Sequence, residues 1–163
     1  MPTAADVSIR RAEPCDIPAL VSHHRRMFEE IRAIMNRTVN SDQLAAMDRS
    51  YRDKLLEQIP IDQCAAWVAQ VRGKTAASGA LSVTSQVPIP EDPGHLVGYF
   101  HSLYTEKTFR RMGLARIILE AAKAHADLMG IRRVQLGTSD AGRSLYESAG
   151  FSPMVEAMRW WRR

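Results

Sequence analysis

Residues 109–116 read FRRMGLAR. The stretch sets a glycine where a helix begins, although glycine costs about 1 kcal/mol relative to alanine inside one. From Gly113 onward Leu114, Ile117, Ile118, Ala121 and Leu128 share one helical face, and Gly130 suits the left-handed position that closes a helix. Ahead of it, HLVGYFHSLYT (95–105) reads as a strand. A strand that runs into a helix through RRMGLA presents the first helical N–H groups, unpaired and at the positive end of the helix dipole. Phosphate is the natural guest there. Gly113 lets it approach the backbone, Ala115 keeps the next turn slim, and Arg110 and Arg111 flank it with charged donors. Taken alone, the stretch reads equally as a helix start with two solvated arginines. Neither GxGxxG nor GxxxxGK[ST] occurs, so no Rossmann or P-loop fingerprint competes for it.

Upstream, VSIR (7–10) alternates as a short strand. A helix begins near Cys15 or Asp16, after Pro14, and stops near Asn36. Its stripe is Ile17, Leu20, Val21, His24, Phe28, Ile31 and Met35. Ser41 caps a second helix through Gln58, ended by Pro60. CAAWVAQV (64–71) is nearly continuous in apolar residues, as a strand covered on both faces is. After a turn at Arg72-Gly73-Lys74, TAASGALSVTS (75–85) returns as a neighbouring strand, and VPIPEDPG (87–94) is a loop. Downstream, RRVQLGT (132–138) is a strand, and Asp140 or Ser139 caps a short helix through Ser148, closed by Gly150. FSPMVEAMRWW (151–161) is expected as a last strand. The order β α α β β β α β α β predicts an α/β (α+β) fold, a mixed central sheet covered by helices, in one domain over 1–163.

The 163 residues are 45% hydrophobic and 25% charged, an ordinary globular balance. The net charge of +4 suits an anionic ligand or nucleic acid. RWWRR (159–163) mixes aromatics and charge as single-strand binders do. No nucleic-acid recognition motif accompanies it, so a nucleic-acid partner is not expected. Cys15 and Cys64 have neither a disulfide framework nor metal-ligand spacing, and no metal is expected. The opening MPTAADVSIRRAE lacks the apolar centre of a secretory signal, and no run is long enough to cross a bilayer. A cytoplasmic location and no membrane partner are expected. Trp67, His24, His125, Met27, Met47 and Met129 read as packing residues.

Arg110-Arg111-Met112-Gly113-Leu114-Ala115 fits the pattern [QR]-x-x-G-x-[GA], and SLYESAGF (144–151) is a short helix bearing a tyrosine and closed by a glycine–aromatic pair. In these two motifs and in element order from residue 7 to 161, the chain resembles the GCN5-related N-acetyltransferase (GNAT) family. The resemblance implies the GNAT acyl-CoA N-acyltransferase fold, with a largely antiparallel sheet. It also implies acetyl-CoA as cosubstrate and direct transfer of acetyl to a primary amine of a small molecule or peptide. Relatives are often dimers, so a homodimer is a further expectation. The chain departs from many members by Ser102 for a strand asparagine and by Lys107 for a proline. Thr138-Ser139-Asp140-Ala141 also replaces an asparagine lead into the tyrosine helix.

The resemblance places the CoA pyrophosphate on the N–H groups of Arg111, Met112, Gly113, Leu114 and Ala115, with Arg110 at its flank. The pantetheine arm is expected along the backbone of Leu103, Tyr104 and Thr105, the Leu103 N–H serving as oxyanion donor. Tyr146 is the matched proton donor to the departing thiolate, since a phenol of pKa about 10 stays protonated at neutral pH. For the proton of the amine, His101 lies where some relatives place a base. Glu29 and Glu30, late in the first helix, are able to take that proton through water or to attract a cationic amine. A strand histidine packed beneath a helix and two solvated glutamates are the competing readings. The alternative function is a non-catalytic CoA-binding or regulatory domain of the same fold, against which Tyr146 argues.

Overall fold

The structure, a computed structural model, describes residues 6–154 and 158–162. Five strands form one sheet in chain order: β1 (Val7–Arg11), β2 (Cys64–Val71), β3 (Lys74–Ser85), β4 (Leu96–Thr105) and β5 (Arg133–Leu136). The first four are antiparallel and β5 joins β4 in parallel, so the sheet is mixed and largely antiparallel. Helices α1 (Ile17–Ile34) and α2 (Ser41–Gln58) cover one face. Helices α3 (Leu114–Leu128) and α4 (Asp140–Ser148) cover the other. Among the described residues no helix is long and apolar enough to cross a membrane.

Strand periodicity divides the core. Ala65, Trp67, Ala69 and Val71 of β2 join Leu114, Ile118, Leu119 and Ala122 beneath α3. Cys64, Ala66 and Val68, the alternate positions, join Ile17, Leu20, Val21, Tyr51 and Leu55 beneath α1 and α2. A strand buried on both faces has no use for polar alternation, which is why CAAWVAQV is continuous.

The alternation fails at one place, and that place shapes the site. Ala80 pairs with His101 and Ser78 with Tyr104, so Ser102 and Leu103 together oppose Gly79. This is a β-bulge. Ser102 adopts φ 57°, a left-handed conformation that is uncommon for serine. The twist turns His101 and Ser102 both toward α1 and α2, where they bond Ser82 and His24, while Phe100 and Leu103 face α3. Gly79 makes room for this arrangement. A Cβ there would lie 2.9 Å from Ile118 Cγ2 and 3.2 Å from both Leu103 Cδ1 and Phe100 Cζ. Gly79→Val is therefore expected to destabilise the chain by at least about 1–3 kcal/mol through overpacking. A urea midpoint equal to wild type would contradict this.

Three expectations need correction. Asn40, not Ser41, caps α2, its side chain accepting from the N–H groups of Asp42 at 2.7 Å and Gln43 at 3.4 Å. On α1 the fully buried histidine is His23, with His24 only half-buried, and Met35 lies exposed past the helix end. The expected last strand is not formed over residues 151–154 or 158–161; Val155, Glu156 and Ala157 lie outside the described residues. The Phe151 N–H bonds the Tyr146 carbonyl at the end of α4, and Pro153 has no N–H to give a ladder.

Candidate active site

Beyond β4 a single 3-10 turn (Lys107–Phe109) leads into the glycine loop. Arg110 is extended (φ −68°, ψ 157°), Arg111 is left-handed (φ 65°) and Gly113 is left-handed again (φ 77°, ψ 6°). Among the described residues, no atom beyond its chain neighbours and its own helix would lie within 4 Å of a Cβ on Gly113. Glycine is therefore demanded by the backbone conformation, and the space in front of it is open. The Gly113 carbonyl accepts the first helical bond, from Ile117 at 3.1 Å, so the N–H groups of Leu114, Ala115 and Arg116 have no intrahelical partner. Leu114 is fully buried and Met112 packs against the same cluster. Their side chains anchor the loop.

The β4–β5 ladder ends at the pair Phe100–Leu136, while β4 continues to Thr105. The strands therefore part at the bulge, and the Leu103–Thr105 edge of β4 is left without a β5 partner. Helix α4 brings Tyr146 to this region. Its ring meets Phe100 edge-on, with centroids 6.4 Å apart, and Phe151 at 6.0 Å. Burial pushes the phenol up to about 12, and no hydrogen bond among the described residues engages its hydroxyl. It stays protonated across the physiological range.

On the opposite face, side chains far apart in sequence form a chain of hydrogen bonds. Ser102 Oγ lies 2.8 Å from His24 Nδ1 and 2.8 Å from His101 Nδ1, and His101 Nε2 lies 2.8 Å from Ser82 Oγ. His24 also stacks on Tyr51 at 4.0 Å. Burial drives His101 down to about 3 and His24 to about 4. Both rings are neutral near pH 7, with the ring nitrogens of His101 already engaged. His101 thus sits at the bulge as a buttress of the strand, poorly placed to gain a proton. His23 likewise bridges Ser78 at 2.8 Å and Glu106 at 3.3 Å, and burial lowers its pKa.

Glu30 meets the loop itself. Its carboxylate accepts from the Tyr104 hydroxyl at 2.9 Å and from Arg110 Nη2 at 2.7 Å, with Lys107 at 3.8 Å. Burial alone would raise its pKa, but the bonds from Arg110 and Tyr104 outweigh that and lower it. Beside it opens a cleft of about 440 Å³ lined by Arg26, Glu29, Glu30, Tyr104, Glu106 and Lys107, among others. Glu29, 4.0 Å from Arg25, is the least committed of its carboxylates.

The structure thus gathers the glycine loop, the parted edge of β4 and Tyr146 on one side, and Glu30, Glu29 and His101 on the other. His23, Ser102, Ser82 and Tyr51 were not legible in advance. Apart from the Ser102–His101 contact between neighbours, these partners lie 19 or more positions away, and no local pattern encodes such pairs. Among the described residues no group of three or more His, Cys, Asp or Glu is arranged to hold a metal ion.

Residues 26–151 match the acetyltransferase (GNAT) family. No curated protein matches the chain by sequence. Among solved structures, the chain is similar to a GCN5-related N-acetyltransferase from Ralstonia eutropha. The two are 26% identical, over 95% of this chain and 98% of that one, with a TM-score of 0.84. It is also similar to a predicted acetyltransferase from Clostridium acetobutylicum whose structure contains acetyl-CoA (23% identity, 94% and 95% coverage, TM-score 0.83). Glucosamine-6-phosphate N-acetyltransferase from Arabidopsis thaliana shares the fold at 21% identity, with 95% and 97% coverage and a TM-score of 0.63.

Proposed function

Because the chain belongs to the acetyltransferase (GNAT) family, we propose that it transfers acetyl from acetyl-CoA directly to an amine, with Tyr146 protonating the leaving thiolate. The observation that carries this reading is the continuity of one surface. The edge of β4 that β5 leaves uncovered runs through a turn with two left-handed residues onto the open N-terminus of α3, with Tyr146 beside the point where β4 and β5 part. The pyrophosphate rests on the N–H groups of residues 111–115, where no Cβ intervenes at Gly113. The pantetheine arm pairs with Leu103–Thr105, and the Leu103 N–H polarises the thioester carbonyl.

The amine enters from the face of α1, through the cleft beside Glu29 and Glu30. Its nitrogen attacks the carbonyl carbon, the C–S bond breaks, and the sulfur takes the Tyr146 proton, which water restores. The amine gives up its own proton to water in the cleft, because His101 and Glu30 are both held in hydrogen bonds with lowered pKa values. Ser102, which stands where many members have asparagine, holds the bulge through His24 and His101.

A melting experiment tests the cosubstrate. Acetyl-CoA at a hundred times its Kd adds about 2.7 kcal/mol, which is roughly 5–10 °C in Tm for a chain of this size. No shift at millimolar acetyl-CoA would overturn the reading. A panel of amines assayed for release of free CoA thiol then identifies the acceptor, and thiol release with none of them would favour a CoA-binding domain without catalysis.

A further inference from the structure

Three arginines stand within FRRMGLAR, and they lead to three different places. Arg110 turns to α1, with Nη2 on Glu30 Oε2 at 2.7 Å, Nε on the Thr105 carbonyl at 3.0 Å, and its guanidinium 5.6 Å from the centre of the Tyr104 ring. Arg116 turns to α4, bonding Ser148 through Oγ at 3.1 Å and through the carbonyl at 3.2 Å. No hydrogen bond, ion pair or ring contact among the described residues engages the Arg111 side chain. We propose that Arg110 is a positioning residue of the acceptor cleft and not a phosphate ligand, and that Arg111 alone of the three grips the phosphates of the cosubstrate. The phosphate half of this rests on the acetyl-CoA reading above.

The backbone explains the division. Arg110 is extended and Arg111 is left-handed, so the chain reverses between them and their side chains part. Arg110 thus commits its Nε–Nη2 edge to a carbonyl and a carboxylate and one face to an aromatic ring. Swinging it to a phosphate would strip Glu30 of its shortest bond. The Glu30 end of α1 needs that bond. Its buried residues, Ile17, Leu20, Val21 and His23, all lie in the first half of the helix, and Ala33 and Ile34 are exposed. Beside the half-buried Met27, Phe28 and Ile31, polar contacts tie the second half to β4 and the turn after it: Tyr104 and Arg110 on Glu30, Lys107 behind them, and Arg26 on Glu106. That half of α1 is a wall of the cleft. The motif arginine therefore ties the cosubstrate loop to the acceptor wall.

The test uses CoA itself as the probe, in calorimetry on Arg110→Ala, Arg110→Lys, Glu30→Gln and Arg111→Ala, together with amide exchange of residues 26–34. Arg111→Ala is expected to weaken CoA by about ten-fold or more, as loss of a charge-assisted contact does, with α1 exchange unchanged. Arg110→Ala and Glu30→Gln should leave the CoA Kd within about three-fold and speed exchange over residues 26–34. The double variant Arg110→Ala/Glu30→Gln should change exchange by less than the sum of the two single ones, as a shared contact requires. Arg110→Lys should restore part of the protection. With any amine the enzyme accepts, Arg110→Ala raises KM for the amine and leaves that for acetyl-CoA. A ten-fold loss of CoA affinity in Arg110→Ala, an unchanged affinity in Arg111→Ala, or unaltered α1 exchange in Arg110→Ala overturns the proposal. If wild type fails to bind CoA, the acetyl-CoA reading falls with the phosphate half, and the exchange data still decide whether Arg110 braces α1.

Discussion

Tyr146→Phe is expected to lower kcat at least ten-fold, toward the roughly 10²–10⁴ that a general acid supplies, while CoA binding stays near wild type. The structure makes this substitution clean. The ring of Tyr146 packs edge-on against Phe100 and Phe151, contacts that phenylalanine preserves. Its hydroxyl makes no hydrogen bond among the described residues, so no partner is orphaned. What is lost is one proton, which burial holds on the phenol up to about pH 12. A wild-type kcat should therefore show no decline from Tyr146 ionisation below about pH 10. Steady-state kinetics with the best acceptor of the panel, beside calorimetry with CoA, check both halves. Unchanged turnover would remove Tyr146 from the chemistry, and lost CoA affinity would recast it as a binding residue.

The second large effect is on stability in mild acid. His101 and His24 have folded pKa values of about 3 and about 4, against 6.5 when unfolded. The unfolded chain therefore binds more protons than the native one below pH 6.5, and stability falls as pH falls. The loss begins near 6.5 and continues to the folded values. His101 faces Lys54 and His24, which lower it further, while Asp48 opposes the shift at His24 without overcoming burial. Two such groups give a slope of up to about 3 kcal/mol per pH unit between roughly pH 6 and 4, and His23 adds in the same direction. Asp16, Glu30 and Asp92, all lowered, act only nearer pH 4 and below. Urea midpoints at pH 7, 6 and 5 read the slope. His101→Gln, whose amide can still reach a serine, should flatten it by about one proton. Equal midpoints at pH 7 and 5 would show that these rings take up protons without unfolding.

Legibility followed the range of the interaction. The stripe Ile17–Leu20–Val21, the unbroken CAAWVAQV and the glycines after α3 and α4 are local patterns, and the elements lie where those patterns put them. FRRMGLAR was readable as a strand-to-helix turn for the same reason. Against the strand expected over 151–161, Pro153 was legible as a residue with no N–H to give, whereas the closing bond of Phe151 is visible only in the structure.

The sequence by itself determined the order of elements as far as the short helix, the glycine at the start of α3 and the tyrosine on the short helix, because each depends on neighbours within one turn or one strand. Only the tertiary structure decided what the polar side chains do. The pairing of β3 with β4 sets two residues against Gly79, and that single extra residue sends Ser102 to the same face as His101. The reversal at Arg111 and the packing of α1 across β4 then give Arg110 to Glu30 and leave Arg111 open. Those partners lie up to 80 positions apart. Register and helix packing choose them, and neither is written in the spacing of residues along the chain.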